Sequence, residues 1–220
     1  MIAMDMAANP SVLPPSQGQP TPQIRLSLSG TWVLDKSRGT PSMRGYLEAM
    51  NVDELAIEAH EKGEAEHDTL HDIQLTEMNY RIHKLSRVND LKLDLTLGEE
   101  LVEVLPRHPA AGERTRRSLA NSDNPGHVRI DSVLKTVNGT ARVTDVKTLT
   151  RETDPKTGLP FSVMVQTLTI VSEETNRSNT TTRFFVPFSG EIQVASTAGG
   201  SRRDRGQQDL GPGGNEMDET

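Results

Sequence analysis

Histidine, carboxylate and arginine are the residue types in this chain with the most chemistry to offer, and their spacing decides which chemistry is open. His67 and His71 stand four apart, with Asp68 and Asp72 beside them and His60 upstream. On a helix that interval puts two imidazoles on one face, where they could share a metal ion. The segment GEAEHDTLHDI instead reads as a linker running into a strand, where four-residue spacing has no special meaning, so no metal site is expected. Serine and aspartate are plentiful, but no Gly-x-Ser-x-Gly elbow and no glycine-rich phosphate cradle occurs. Carboxylate runs such as Glu99-Glu100 read as solvated faces. With no cysteine, disulfides, thiolate metal sites and cysteine nucleophiles are excluded. Neither an enzyme nor a bound cofactor is expected.

Composition narrows the partners. A formal charge of -7 disfavours polyphosphate, whose binding draws on clustered Lys and Arg, and 3% aromatic content supplies little surface for base stacking. The basic runs Arg114-Thr115-Arg116-Arg117 and Arg202-Arg203-Asp204-Arg205 are local exceptions of the kind solvated loops and tails carry. Nucleic acid is therefore not an expected partner. No window is apolar enough for a spanning helix, and the N-terminal stretch has neither a basic nor a continuous apolar region of the signal-peptide kind. A cytoplasmic, soluble monomer is the expectation. The sequons at Asn138, Asn176 and Asn179 then read as chance matches.

The elements that must position any site fill the middle of the 220 residues. Residues 1–24 and 191–220 are rich in Pro, Gln, Gly, Ser and charge, with no apolar period, and read as disordered tails around a single domain at 25–190. Two short helices come early. In TPSMRGYLEAM, Thr40 can cap, Pro41 can open the helix, and Met43, Leu47 and Met50 share a side. In VDELAIEAHEKG, Asn51 or Asp53 can cap, Val52, Leu55, Ala56 and Ala59 form an apolar stripe, and Gly63 can stop the helix.

Strand-like runs fill the rest: GTWVLDKS before the helices and nine runs after them, joined by turn residues such as Asn124-Pro125-Gly126 and Val137-Asn138-Gly139. Leu91, Leu93, Leu95 and Leu97 alternate with Lys92, Asp94 and Thr96, marking one buried face. In the ninth strand Met164, Gln166, Leu168 and Ile170 share a face, so a polar group goes wherever that face goes. A closed barrel with a polar interior tolerates this better than a packed sandwich. The predicted fold is mainly β: a ten-stranded antiparallel up-and-down β-barrel with a helix-turn-helix lid between strands 1 and 2.

Gly30-Thr31-Trp32, then Tyr46-Leu47-Glu48-Ala49-Met50-Asn51-Val52, then Leu97-Gly98-Glu99-Glu100-Leu101-Val102-Glu103 near the fourth and fifth strands together resemble the intracellular lipid-binding proteins, the fatty-acid-binding and retinoid-binding family of the lipocalin-like calycin group. That family carries an Arg-x-Tyr motif in its last strand, whose side chains hold a ligand carboxylate. Here the match is Arg183-Phe184-Phe185, which keeps the arginine and replaces the tyrosine by phenylalanine, losing a hydroxyl donor.

The resemblance implies a non-catalytic intracellular carrier, with a fatty acid or similar hydrophobic anion inside the barrel and no stable membrane insertion. It names Arg183 and Phe185 as ligand-binding and makes Lys147, on the face of Leu149, the nearest second basic anchor. It also puts Met43, Leu47 and Leu55 under the lid. Trp32 is expected as a plug at the closed end, where Gly30 permits close approach. Two other readings compete: a haem- or tetrapyrrole-binding calycin, for which His83 is the axial candidate, and an inert barrel that interacts through its tails.

Overall fold

The structure is a computed structural model that describes residues 24–86, 90–108, 112–188 and 190, with backbone alone at 106–108 and 112. The expected tails lie outside the described residues except for Ile24. Among the described residues no helix is long and apolar enough to cross a membrane.

The described chain forms strand β1 (Gly30–Leu34), helices α1 (Arg44–Ala49) and α2 (Glu54–Glu66), and strands β2 (Leu70–Leu75), β3 (Asn79–Leu85), β4 (Asp90–Thr96), β5 (Glu100–His108), β6 (Gly112–Asn124), β7 (His127–Thr136), β8 (Gly139–Thr153), β9 (Pro160–Ser172) and β10 (Ser178–Pro187). All ten lie in one sheet in the order β4-β3-β2-β1-β10-β9-β8-β7-β6-β5, and every ladder is antiparallel. Pairing of β1 with both β2 and β10 curls the sheet into a nearly closed barrel. The seam falls between β4 and β5, where the ladder gives way to a bridge between Leu97 and Ala120 and a bond from Gly98 N to the Ala120 carbonyl at 2.8 Å. Gly98 turns there with φ of +79°, which suits glycine. β5 and β6 pair as far as His108 and Gly112.

Alternation sets the inner wall as the leucine pattern in β4 predicts. Leu93 and Leu95 are buried with Trp32, Ile73, Ile82, Ile130, Met164 and Phe185 in one core, while Lys92 and Asp94 are exposed. The closed end is sealed by the segment before β1. Trp32 is fully buried, and its indole N–H donates to the Leu28 carbonyl at 2.8 Å. Leu28 N bonds to the Pro125 carbonyl at 2.8 Å, Arg25 N to Ser162 Oγ at 2.7 Å, and the Arg25 guanidinium lies 5.1 Å above the indole ring. Gly30, with φ of +126°, leaves the space that Arg25 fills. The expected role of Trp32 as a plug matches this packing.

The helices depart from expectation in three ways. Thr40 caps nothing: α1 starts at Arg44 with Met43 in the N-cap position and no side-chain cap. Its hydroxyl instead accepts from Thr182 N at 2.7 Å and donates to the Thr182 carbonyl at 3.1 Å, so β10 claims the group that would have capped the helix. Asp53 does cap α2, accepting from Leu55 N at 3.0 Å. Gly63 does not stop α2, which runs to Glu66, and Lys36 Nζ then satisfies the carbonyls of Ala65 and His67 at 3.2 and 2.8 Å. The expected stripe is also rotated: Leu55 and Ala59 are exposed, and α2 buries Ile57, Gly63 and Glu64. Tertiary contacts overrode a weak local pattern.

Candidate anion-binding centre

Because Cβ directions alternate along a strand, a polar residue on an apolar face is carried into the barrel with it. In β8, Asp145 and Lys147 share the inner face with Ala141; in β9, Gln166 lies between Met164 and Leu168; in β3, Lys84 follows Tyr80 and Ile82. These side chains converge. Asp145 Oδ2 accepts from Lys147 Nζ at 2.7 Å and Lys84 Nζ at 3.1 Å, and Asp145 Oδ1 accepts from Gln166 Nε2 at 2.8 Å. β3 and β8 stand second and seventh in the strand order, so the Lys84–Asp145 pair spans the interior from one wall to the other. Lys147 also lies 5.9 Å over the Tyr80 ring.

The electrostatics follow from one carboxylate shared by two ammonium groups. Burial alone would raise the Asp145 carboxyl, but Lys147, Lys84 and the hydrogen bonds from Lys147 and Gln166 outweigh it and hold the group well below 3.8. Burial lowers Lys147 to about 8, with Asp145 opposing and Lys84 adding repulsion. The carboxylate gains two partners, whereas each ammonium gains half of one and is repelled by the other. Burial, then the charges of Lys84, Lys147 and Arg183, push His71 well below 6.5 and keep its imidazole neutral.

Arg183 projects inward from β10 as the resemblance implies, with 5% of its surface exposed. It lies on the face of fully buried Phe185, its guanidinium 5.8 Å from that ring, and His71 stacks on the same ring with centroids 4.4 Å apart. Arg183 Nη2 donates to Glu64 Oε1 of α2 at 2.9 Å. Among the described residues Lys84, Lys147 and Arg183 thus pair only with Asp145 and Glu64, three cations against two carboxylates. Arg116, paired with Glu103 at 2.7 Å, leaves that surplus unchanged. Tyr80 OH, Gln166 Oε1, His71 Nδ1, Arg183 Nε and Glu64 Oε2 are buried with no hydrogen-bond partner among the described residues.

Of the residues singled out by sequence, the barrel brings Arg183, Phe185 and Lys147 to one interior. Met43 and Leu47 are half-buried at α1, and Leu55 is 75% exposed, so its side chain joins none of them. His83 lies on the outer face, its Nε2 2.7 Å from Asp90 Oδ1, which removes the candidate axial ligand of the haem reading. His67 is exposed at the end of α2 and His71 is buried in β2, so the four-residue interval crosses an element boundary. Among the described residues no group of three or more His, Cys, Asp or Glu side chains could hold a metal ion. Lys84, Asp145, Tyr80 and Glu64 are absent from the sequence expectations, and His71 entered them only for its spacing from His67. Asp145 was legible, standing two residues before Lys147 on the same face; Glu64 had no comparable signal.

No protein-family model and no curated protein sequence matches the chain. Solved structures similar to it include a fatty acid transporter, 15% identical over 74% of this chain and 98% of that one, with a TM-score of 0.48. A fatty-acid-binding protein from brain tissue of Drosophila melanogaster is 15% identical over 74% and 99%, at 0.47. Lipid binding protein 8 of Caenorhabditis elegans is 17% identical over 73% and 94%, also at 0.47. These likenesses concern the fold alone.

Proposed function

We propose that this protein is a non-catalytic, cytoplasmic carrier that holds one hydrophobic anion, with a long-chain fatty acid as the first candidate, inside the barrel. The observation that carries the reading is the surplus positive charge at the barrel's centre, where Lys84, Lys147 and Arg183 face Asp145 and Glu64. Buried cations need counter-charges, and an anionic head group supplies one to this cluster. An arginine fork and a lysine supply charge-assisted hydrogen bonds to such a group. The chain of the ligand would lie along the apolar wall formed by Ile82, Leu93, Leu95, Ile130 and Met164. Burying it contributes about 0.8 kcal/mol per methylene before entropic losses.

The test is titration of the delipidated full chain with an anthroyloxy-labelled C18 fatty acid, beside the C18 alcohol carrying the same label. Saturable one-to-one binding of the acid, stronger than that of the alcohol and weakened by Arg183→Ala, is expected. Failure to bind any fatty acid overturns the carrier. Equal binding of acid and alcohol replaces the anion by a neutral hydroxyl ligand, a reading that the unpartnered Tyr80 hydroxyl and Gln166 carbonyl would then favour.

A further inference from the structure

The guanidinium that would hold a ligand's head group already holds a carboxylate. Glu64 reaches it from the last turn of α2, which is otherwise docked by little apolar surface: its buried residues are Ile57, Gly63 and Glu64. The grip is partial. Arg183 Nη2 meets Glu64 Oε1 at 2.9 Å, whereas Arg183 Nε and Glu64 Oε2 have no hydrogen-bond partner among the described residues. A guanidinium can take a carboxylate by two parallel bonds, so this pair uses half of what the fork offers. His60 Nδ1 stands 3.7 Å from Glu64 Oε2, and burial followed by the charge of Arg183 keeps that imidazole from protonating readily despite Glu64, so it supplies no strong competing cation. The remaining ties of α2 run elsewhere: Glu54 and Glu61 to Arg44 at 2.6 Å each, and the carbonyls of Ala65 and His67 to Lys36.

We infer that Glu64 is an internal stand-in for the ligand's head group. It occupies the guanidinium that the incoming anion takes, so head-group binding and docking of the last turn of α2 exclude each other. Two carboxylates cannot share one fork without bringing like charges together in a buried site. An anion that forms both bonds displaces one that forms a single bond, and the displaced Glu64 releases the end of the helix that holds it. Apparent affinity is then reduced by the fraction of molecules in which Glu64 holds Arg183. Glu64 therefore sets how tightly an anion is held and discriminates against weakly pairing head groups. A neutral ligand, which has no call on the guanidinium, leaves the contact in place.

This inference rests on the carrier reading, and one set of titrations separates the two. The full chain and its Glu64→Gln variant are titrated with the labelled C18 acid and the labelled C18 alcohol. The expected result is a roughly tenfold tighter hold on the acid by Glu64→Gln, with the alcohol unchanged. Amide hydrogen exchange at residues 54–66 should quicken when the acid binds the parent chain, and should already be fast in the unliganded variant. Unchanged or weaker acid binding by Glu64→Gln, with the parent chain still binding, overturns the inference alone. Absence of acid binding in both proteins overturns the carrier and this inference with it. Should Glu64→Gln fail to fold, Glu64→Asp keeps the charge but withdraws it by one methylene, and the same two comparisons apply with the same expected direction.

Discussion

The closed end of the barrel and its centre solve the burial of polar groups in opposite ways. At the closed end the indole of Trp32 and the amides of Leu28 and Arg25 each find a neutral acceptor, and the Arg25 guanidinium reaches the carbonyls of Ser29 and Thr31, with its Nε alone left without a partner among the described residues. At the centre four ionised side chains are wholly or nearly buried, two of them, Arg183 and Glu64, joined by a single bond, and several polar atoms have no partner among the described residues. The first arrangement is what stability favours. The second is retained at a cost that stability does not explain, and departures of that kind mark functional sites.

That contrast can be broken or sharpened. The largest effect should come from Trp32→Ala, which leaves a cavity under the Arg25 segment and costs about 3–5 kcal/mol. Urea unfolding should show it, while fatty-acid affinity of the folded fraction stays within about twofold of the parent; a large loss of affinity would place the ligand at the closed end instead. Asp145→Asn should cost about 3 kcal/mol, because two ammonium groups lose their shared counter-charge. A saturating fatty acid should restore more stability to that variant than to the parent, measured as the shift in thermal midpoint.

The pH profile tests the centre without mutation. His71 has a folded pKa well below 6.5, so the unfolded chain takes up a proton there that the folded one refuses, and stability should decline as pH falls below 6.5. Asp145 is held below 3.8, so the stability it contributes above that value is lost as pH falls through it. Lys147, lowered from 10.5 to about 8, acts at the other side: between pH 8 and 10 the unfolded chain keeps a proton that the folded one releases, and stability should rise. Above pH 10 the raised pKa values of half-buried Tyr46 and buried Tyr80 reverse the trend. The smallest stability effect is expected from Lys147→Met, within about 1 kcal/mol, since it removes the surplus charge and fills the space with an apolar chain. The same change should weaken fatty-acid binding roughly tenfold, about 1.4 kcal/mol, and abolish the rise between pH 8 and 10.

Much of the frame was legible because it depends on short-range rules. Turn residues separated the ten runs, the leucines of β4 declared their buried face, and Gln166 went inward with Met164 and Leu168. Local rules failed where two distant elements compete for one group. Thr40 could cap a helix or bond to β10, and only the fold decides for β10. Of the centre, Arg183, Phe185 and Lys147 could be named, because a resemblance or a strand period pointed to them. Lys84 and Asp145 meet across the interior from strands 61 residues apart, and Glu64 meets Arg183 from 119 residues away. No periodicity encodes such pairs, since they depend on how the sheet curls and how α2 is turned upon it.

The Lys84–Asp145 contact has a mechanical side. With no ladder between β4 and β5 among the described residues, the sheet is a split hoop whose two arms are joined by continuous backbone pairing on the far side, through β1 and β10. Lys84 belongs to one arm and Asp145 to the other, so their 3.1 Å contact works as a tie rod that resists spreading of the hoop. An anion that drew Lys84 away from Asp145 would slacken the tie as it arrived, and its departure would tighten it again. The width of the split would thereby follow the charge inside the hoop.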